Sequence, residues 1–320
     1  MKNKKKKQIL AIAAGLLVLT AGIFLLTRDN EWSASRATLM PQKTVDSTGH
    51  TPDLTTEFLV TQYPDATGVQ ATCYTITNED TLIIIDGGWA ENEDALRRII
   101  AEHGNTVDAW IISHPHKDHA GAFNAIMKDP GDIVVKQIYD NGFDYDFIMA
   151  AGEPYDDITV LQDYYALTKD ASNVTHLKRG DVLEICGLTF SVYNAYDDTV
   201  LANVGEELDY QNNASLLFEV SSGESSMLFC SDIKYDMDAC LLAQYGDAIA
   251  CDYVQVGHHG NWSFSEEFYE KTGASVFFFD APTDITENPD FPASELKDSL
   301  ETKNRTVLDF STAPNSVTLK

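Results

Sequence analysis

Within six residues, His114-Pro115-His116-Lys117-Asp118-His119, the chain sets three imidazoles and a carboxylate. Only eight histidines occur in 320 residues, so three in one loop is a concentration that chance explains poorly. Neutral imidazole with carboxylate is the donor set that zinc and similar borderline cations prefer, and catalytic zinc sites keep one position open for water. His114 and His116, two apart in an extended segment, turn the same way. Asp118 and His119, adjacent where a helix begins near Ala120, aim at a second point close by. The spacing therefore predicts one or two divalent cations, zinc first.

Two more places offer the same chemistry. Asp232 follows the apolar run 227–230, and His258-His259 follows the run 253–256, inside Gly257-His258-His259-Gly260. Adjacent residues leaving a strand point to opposite sides, so one of the histidines binds metal and the other contacts substrate or orients a neighbour. His258 is preferred as the ligand. The expected metal set is His114, His116, Asp118, His119, Asp232 and His258, with Asp118 also orienting the nucleophile. Bound cations lower the pKa of water and neutralise charge on a phosphoryl or carbonyl oxygen. No Gly-x-Ser-x-Gly elbow offers a rival nucleophile.

The elements that must position these groups can be read from periodicity. Short β-rich runs at 58–60, 71–77 and 81–85 open the domain as a meander, the third closing on Asp86-Gly87-Gly88, read as a turn. Residues 92–103 put Ala95, Leu96, Ile99 and Ile100 on one helical face. Strand 107–113 delivers the histidine loop, helix 120–128 follows, and 133–139 reads as one further strand. The segment 140–170 is aromatic and acidic, with a helix over 157–168, and reads as a satellite core rather than a substrate wall. Strands 174–177, 182–185 and 188–193 precede the polar stretch Gln211-Asn212-Asn213-Ala214-Ser215. Helices 236–245, 265–272 and 293–301 then alternate with strands 253–256, 275–279, 306–309 and one near Val317. His50 reads as solvated, His103 as a helix-end residue and His176 as a turn-flanking residue, none of them a ligand.

Charge divides the chain. The formal net charge is −28, yet residues 1–30 carry six basic side chains against one acidic, leaving −33 on the rest. Five lysines within 1–8 precede an apolar run, 9–27, that reads as an uncleaved transmembrane anchor rather than a removed signal, with the lysines on the cytoplasmic side. Residues 28–56 are a polar linker, and 57–320 the domain proper, placed outside the cell. The triplet Ser33-Ala34-Ser35 is only a weak cleavage signal, and cleavage would make the domain secreted. Five cysteines show no Cys-x-x-Cys spacing, so a thiolate metal site is not indicated. A domain at −33 is poorly suited to gripping long nucleic acid, whose affinity rests on Lys and Arg.

His-x-His-x-Asp-His after a hydrophobic strand resembles the signature of the metallo-β-lactamase-fold hydrolases, which implies an α/β, four-layer αββα sandwich. Asn212-Asn213-Ala214-Ser215, a strand ending in Ser231-Asp232, and Val256-Gly257-His258-His259-Gly260 further resemble the extracytoplasmic hydrolase domain of bacterial competence proteins that import DNA. Choline-phosphate esterases acting on wall teichoic acids are similar. The likeness spans roughly Glu57 to the C-terminus and implies that Asp232 bridges two metals. It also implies that Asn212 or Asn213, with Ser215, occupies the place where many members add another histidine. Through that departure the resemblance brings in manganese as the alternative to zinc. Ser231 stands where glycine usually precedes the aspartate, and Phe291-Pro292 where His-Pro is usual. The expected catalytic set is Asp118, Asp232, His259, Asn212 and Ser215. The substrate implied is a phosphodiester, small or attached to the cell wall. The rivals are a lactone, thioester or β-lactam carbonyl hydrolase and a degenerate metal-containing binding module on the cell surface.

Overall fold

The computed structural model describes residues 57–151, 157–205, 209–310 and 313–320. The anchor over 9–27 and the linker over 28–56 lie outside the described residues. Among the described residues, no helix is long and apolar enough to cross a membrane.

Two seven-stranded sheets form the frame. In the first, Asn315–Leu319, Phe58–Gln62, Cys73–Thr77 and Leu82–Asp86 run antiparallel, and Leu82–Asp86, Ala109–Ile112, Ile138–Asp140 and Val174–His176 then run parallel. The second repeats the division. Val182–Ile185, Leu188–Asn194, Leu217–Ser221 and Ser226–Phe229 are antiparallel, while Ser226–Phe229, Tyr253–Gln255, Val276–Phe279 and Thr306–Asp309 are parallel. Parallel strands need crossover connections, and here helices supply them.

Burial follows from this arrangement. Inward residues of both sheets, among them Tyr74, Ile83, Ile85, Ile111, Phe218, Phe229 and Phe278, make one core between the sheets. Trp110, Ile112, Leu96, Ile100 and Phe123 build a second beneath the helices of the first sheet, and Val254, Val256, Leu241, Phe268 and Leu300 a third beneath those of the second. The parallel strands, covered on both faces, read as continuous apolar runs for that reason, as in Leu82-Ile83-Ile84-Ile85 and Val276-Phe277-Phe278-Phe279.

The parallel halves matter most for chemistry. Strands Leu82–Asp86, Ala109–Ile112, Ser226–Phe229, Tyr253–Gln255 and Val276–Phe279 are each followed, at or just beyond the carboxyl end, by a polar residue of the site. Those residues are Asp86, the 113–119 loop, Asp232, His258-His259 and Asp280. Carboxyl ends of parallel strands are where open α/β sheets place ligands.

Several sequence boundaries shift. The helix expected from Ala120 starts at Lys117, so Asp118 and His119 lie in its first turn and His116 is its N-terminal cap residue. The single strand expected over 133–139 is two: Val134–Val135 pairs with Thr106–Val107 in a small separate sheet, and Ile138–Asp140 joins the main one. Tyr145–Ala151 forms a further helix in the aromatic and acidic segment, and Tyr210–Asn213 a short one where the sequence shows only a polar stretch.

The histidine helix sits very close to the turn after Leu82–Asp86. A Cβ on Gly121 would fall 2.6 Å from the Ala90 nitrogen and 2.9 Å from the Gly88 oxygen. Both obstacles are backbone and cannot rotate away. Gly121→Ala is therefore expected to destabilise the domain by roughly 2–3 kcal/mol, the usual range for overpacking. Thermal unfolding would record it as a midpoint lowered by about 5–10 °C; an unchanged midpoint would mean that this contact is not tight.

Candidate metal centre

The loop 113–119 is fixed first by a residue that composition did not flag. Asp86, fully buried with positive φ, accepts from the Ser113 backbone N–H at 2.7 Å, from Ser113 Oγ at 2.7 Å and from His119 Nδ1 at 2.7 Å. Because a carboxylate only accepts, His119 must carry its proton on Nδ1 there, which turns Nε2 and its lone pair the other way. Ser113 Oγ also lies 3.1 Å from His114 Nδ1.

The second sheet supplies the opposite wall. The Asp232 N–H donates to Ser215 Oγ at 3.1 Å, and Ser231 Oγ donates to the Leu216 carbonyl at 2.6 Å, fixing the loop that carries the aspartate. His259 Nδ1 donates to the Asp280 carbonyl at 3.0 Å, leaving Nε2 to face inward. The Asp280 carboxylate is itself buried among donors: Gln62 Nε2 at 2.7 Å, Tyr74 OH at 2.6 Å, Thr72 Oγ1 at 2.9 Å and Gln255 Nε2 at 2.9 Å. Burial pushes its carboxyl upward from the usual range, with the Tyr74 and Gln62 bonds opposing.

Two groups of donors converge. Asp118, His119, Asp232 and His259 form one, and His114, His116 and Asp232 the other, with the atoms of each group all within 4.8 Å of one another. Asp232 belongs to both. Its Oδ1 lies 3.1 Å from His119 Nε2 and its Oδ2 3.3 Å from His259 Nε2, which is also 3.2 Å from Asp118 Oδ2.

The donor set fits a cation. His119 Nε2, His259 Nε2 and Asp232 Oδ1 are buried atoms that make no hydrogen bond despite these short separations. Such acceptors crowded together in a buried site are an expensive arrangement unless a charge sits among them. Without a cation, protons take the role. Burial disfavours the His259 imidazolium, but Asp232 and Asp118 outweigh it and raise the pKa to about 10. His119 is likewise raised against burial, by Asp232 and Asp86. Burial would raise the Asp118 carboxyl, yet the bond from His259 and the charge of His119 bring it down to about 2. His114 goes the other way, driven well below its usual value by burial and by His119 and His116, and so is neutral and ready to ligate.

Residues 66–172 match the metallo-beta-lactamase superfamily model. The chain has the metallo-β-lactamase fold. Solved structures agree on the fold. YhfI of Bacillus subtilis, itself described as a metallo-beta-lactamase fold protein, is 14% identical with a TM-score of 0.51, over 82% of this chain and 99% of its own. CmlA, a diiron beta-hydroxylase from Streptomyces venezuelae, is 13% identical with a TM-score of 0.52, over 82% of this chain and 54% of its own. At such identities the likeness speaks for the fold alone. No curated protein sequence matches the chain.

Within this metallo-β-lactamase-fold site the sequence preference for His258 is reversed. His259 lies in a donor group and His258 does not. The physical reason is the backbone. Both residues adopt left-handed φ, 47° and 56°, so the strand alternation that ordered them in sequence no longer applies. The His258 ring instead bonds the Asn261 carbonyl through Nδ1 and sits 3.3 Å from Asn212 Nδ2 through Nε2. Ser215, expected among the catalytic groups, is fully buried and anchors the Asp232 backbone. Asn213 is also structural, its Oδ1 accepting from the Lys234 N–H at 3.1 Å and its Nδ2 donating to Asp236 at 3.2 Å. His176 bonds Asp140 at 2.6 Å and belongs to neither donor group.

Sequence reasoning missed Asp86 and Asp280. Each ends a strand of consecutive apolar residues, the same signal that singled out Asp232. His259→Ala is expected to lose the metal of its group, while His258→Ala retains it, as read by metal analysis after dialysis. Equal loss from both variants would restore His258 as a ligand.

Proposed function

We propose that the chain is a metal-dependent hydrolase that acts on a phosphodiester, carried on the outer face of the cell membrane by residues 9–27. The observation that carries this reading is the pair of donor groups sharing Asp232 on a cavity of about 450 Å³. Paired cations suit phosphodiester displacement because they stabilise both the attacking and the leaving oxygen. The motif resemblance in residues 212–215, 231–232 and 256–260 supports the same substrate class. Because one fold hosts many chemistries, the donor geometry of the site supports this reading and the fold alone does not.

His114, His116, Asp232, Asp118, His119 and His259 would hold the cations, zinc or manganese. Bound there, a divalent cation supplies Lewis acidity and brings the pKa of water toward neutrality. The chain's own groups do the rest. Asp118, on the cavity wall, would orient the attacking water. Asp86 and the Asp280 carbonyl keep the His119 and His259 rings turned inward, so the donors need no rearrangement during reaction. The net −33 beyond residue 30 favours a small or wall-attached ester over a long polynucleotide.

The test is hydrolysis of bis(p-nitrophenyl) phosphate by residues 31–320 with zinc or manganese, beside lactone, thioester and β-lactam substrates. Metal-dependent turnover of the phosphodiester is expected. Carbonyl-ester turnover alone would replace the substrate class, and measured metal occupancy with no turnover of anything would reduce the protein to a binding module.

A further inference from the structure

Besides residues of the two donor groups, the cavity is lined by Asp209, Asn212, Lys234, His258 and Trp262. Their charges are already matched. Lys234 Nζ lies 3.2 Å from Asp209 Oδ2, and both side chains are buried. The same Asp209 oxygen accepts from Asn212 Nδ2 at 2.9 Å. Because a carboxylate can only accept, that bond fixes the Asn212 amide with its nitrogen on Asp209 and its oxygen elsewhere. The oxygen, Oδ1, is buried and has no hydrogen-bond partner. An acceptor buried without a donor is costly, and in a cavity wall it is what a ligand donor would relieve.

Three classes of ligand group can be weighed against this wall. A cation needs a free carboxylate, but Asp209 is committed to Lys234 and Asn212, and Asp157 accepts from the Thr159 N–H at 3.0 Å as a helix cap. A second anion needs a free ammonium, but Lys234 faces Asp209 and Lys117 stacks 5.0 Å over the Trp89 ring. What remains is a neutral group rich in hydroxyls. Such a group donates to Asn212 Oδ1 and accepts from Lys234, while its C–H face lies on an aromatic ring. Trp262 provides that ring: it lines the cavity, is 54% exposed, and is held at positive φ beside His258 with ring centroids 6.2 Å apart. A large exposed aromatic at a cavity wall is the usual platform for a group with one apolar face.

We propose that Asn212, Lys234 and Trp262 form a subsite for a sugar or polyol on the alcohol side of the scissile ester. The inference rests on the hydrolase reading above for the word scissile; the subsite itself stands on this geometry. Asn212 is thereby a specificity residue rather than a metal ligand.

The experiment compares p-nitrophenyl phosphodiesters whose second arm is ethyl, glyceryl or glucosyl, using the metal-loaded full chain. Binding of ethyl phosphate, glycerol 3-phosphate and glucose 1-phosphate is measured alongside by tryptophan fluorescence. The hydroxylated arms are expected to be favoured in kcat/KM by about tenfold, the upper end of what one net hydrogen bond contributes. Asn212→Ala and Trp262→Ala should each bring that ratio close to one, mostly through KM, with metal content unchanged. Equal turnover of ethyl and hydroxylated arms by the wild type would overturn the subsite while leaving the hydrolase reading intact. Should nothing be hydrolysed, the hydrolase reading falls and the binding series decides: a retained preference for the hydroxylated phosphates supports the subsite, and equal binding ends it. Loss of metal from Asn212→Ala would make it a ligand and also end the proposal.

Discussion

Asp232→Ala is expected to strip both donor groups of metal and to lower hydrolysis by about three orders of magnitude, the equivalent of the several kcal/mol that a catalytic cation supplies. No other residue stands in both groups. Its two oxygens face His119 Nε2 at 3.1 Å and His259 Nε2 at 3.3 Å, so a single truncation removes a carboxylate from both donor groups at once. The fold should survive, because the histidines that lose their counter-charge can release their protons and become neutral. The Asp232 backbone also keeps its bond to Ser215 Oγ. Metal analysis and turnover on the same preparation, with circular dichroism to verify folding, give the answer. Wild-type metal retention in Asp232→Ala would remove the shared-carboxylate centre from consideration.

The second large effect is expected from a residue that touches no cation. Asp86→Ala leaves the Ser113 N–H, the Ser113 hydroxyl and His119 Nδ1 without the acceptor that each holds at 2.7 Å, all in a fully buried setting. Removing the acceptor from buried donors of this kind costs roughly 3–5 kcal/mol of stability. Loss of an outer partner to a ligating histidine typically weakens metal binding by about 10–100-fold. Asp86→Asn separates the two effects. It keeps the volume but presents an amide in which only one atom can accept, so part of the stability returns while the His119 tautomer stays unfixed. Denaturant unfolding and chelator competition measure the two quantities separately, and unchanged metal affinity in Asp86→Ala would show that His119 is oriented by something else.

The two aspartates also show where the sequence was informative and where it was silent. Asp232 stood out because histidine motifs flank it at a distance in the chain, and its position after an apolar strand supplied the rest. Asp86 and Asp280 end apolar strands in the same manner, but an isolated carboxylate after a strand is indistinguishable in sequence from a turn residue. Only their partners, Ser113, His119, Tyr74, Gln62 and Gln255, reveal what they do. Helix boundaries failed for a related reason. Lys117, Asp118 and His119 are polar and break no apolar period, so the periodic signal began at Ala120 although hydrogen bonding begins three residues earlier. The split of 133–139 was equally invisible, because strand propensity does not say which sheet a strand joins.

By itself the sequence determined the donor types, the alternation of strands and helices, and the rim along which Asp232 and the histidines would meet. Those properties are local: they follow from side-chain chemistry and from apolar spacing along a few consecutive residues. The tertiary structure decided the rest. It chose His259 over His258 by putting both in left-handed φ, made Ser215 and Asn213 supports, and left Asn212 Oδ1 without a donor. Each of these outcomes depends on what a side chain meets from an element distant in the chain, and spacing along one segment carries no record of that neighbour.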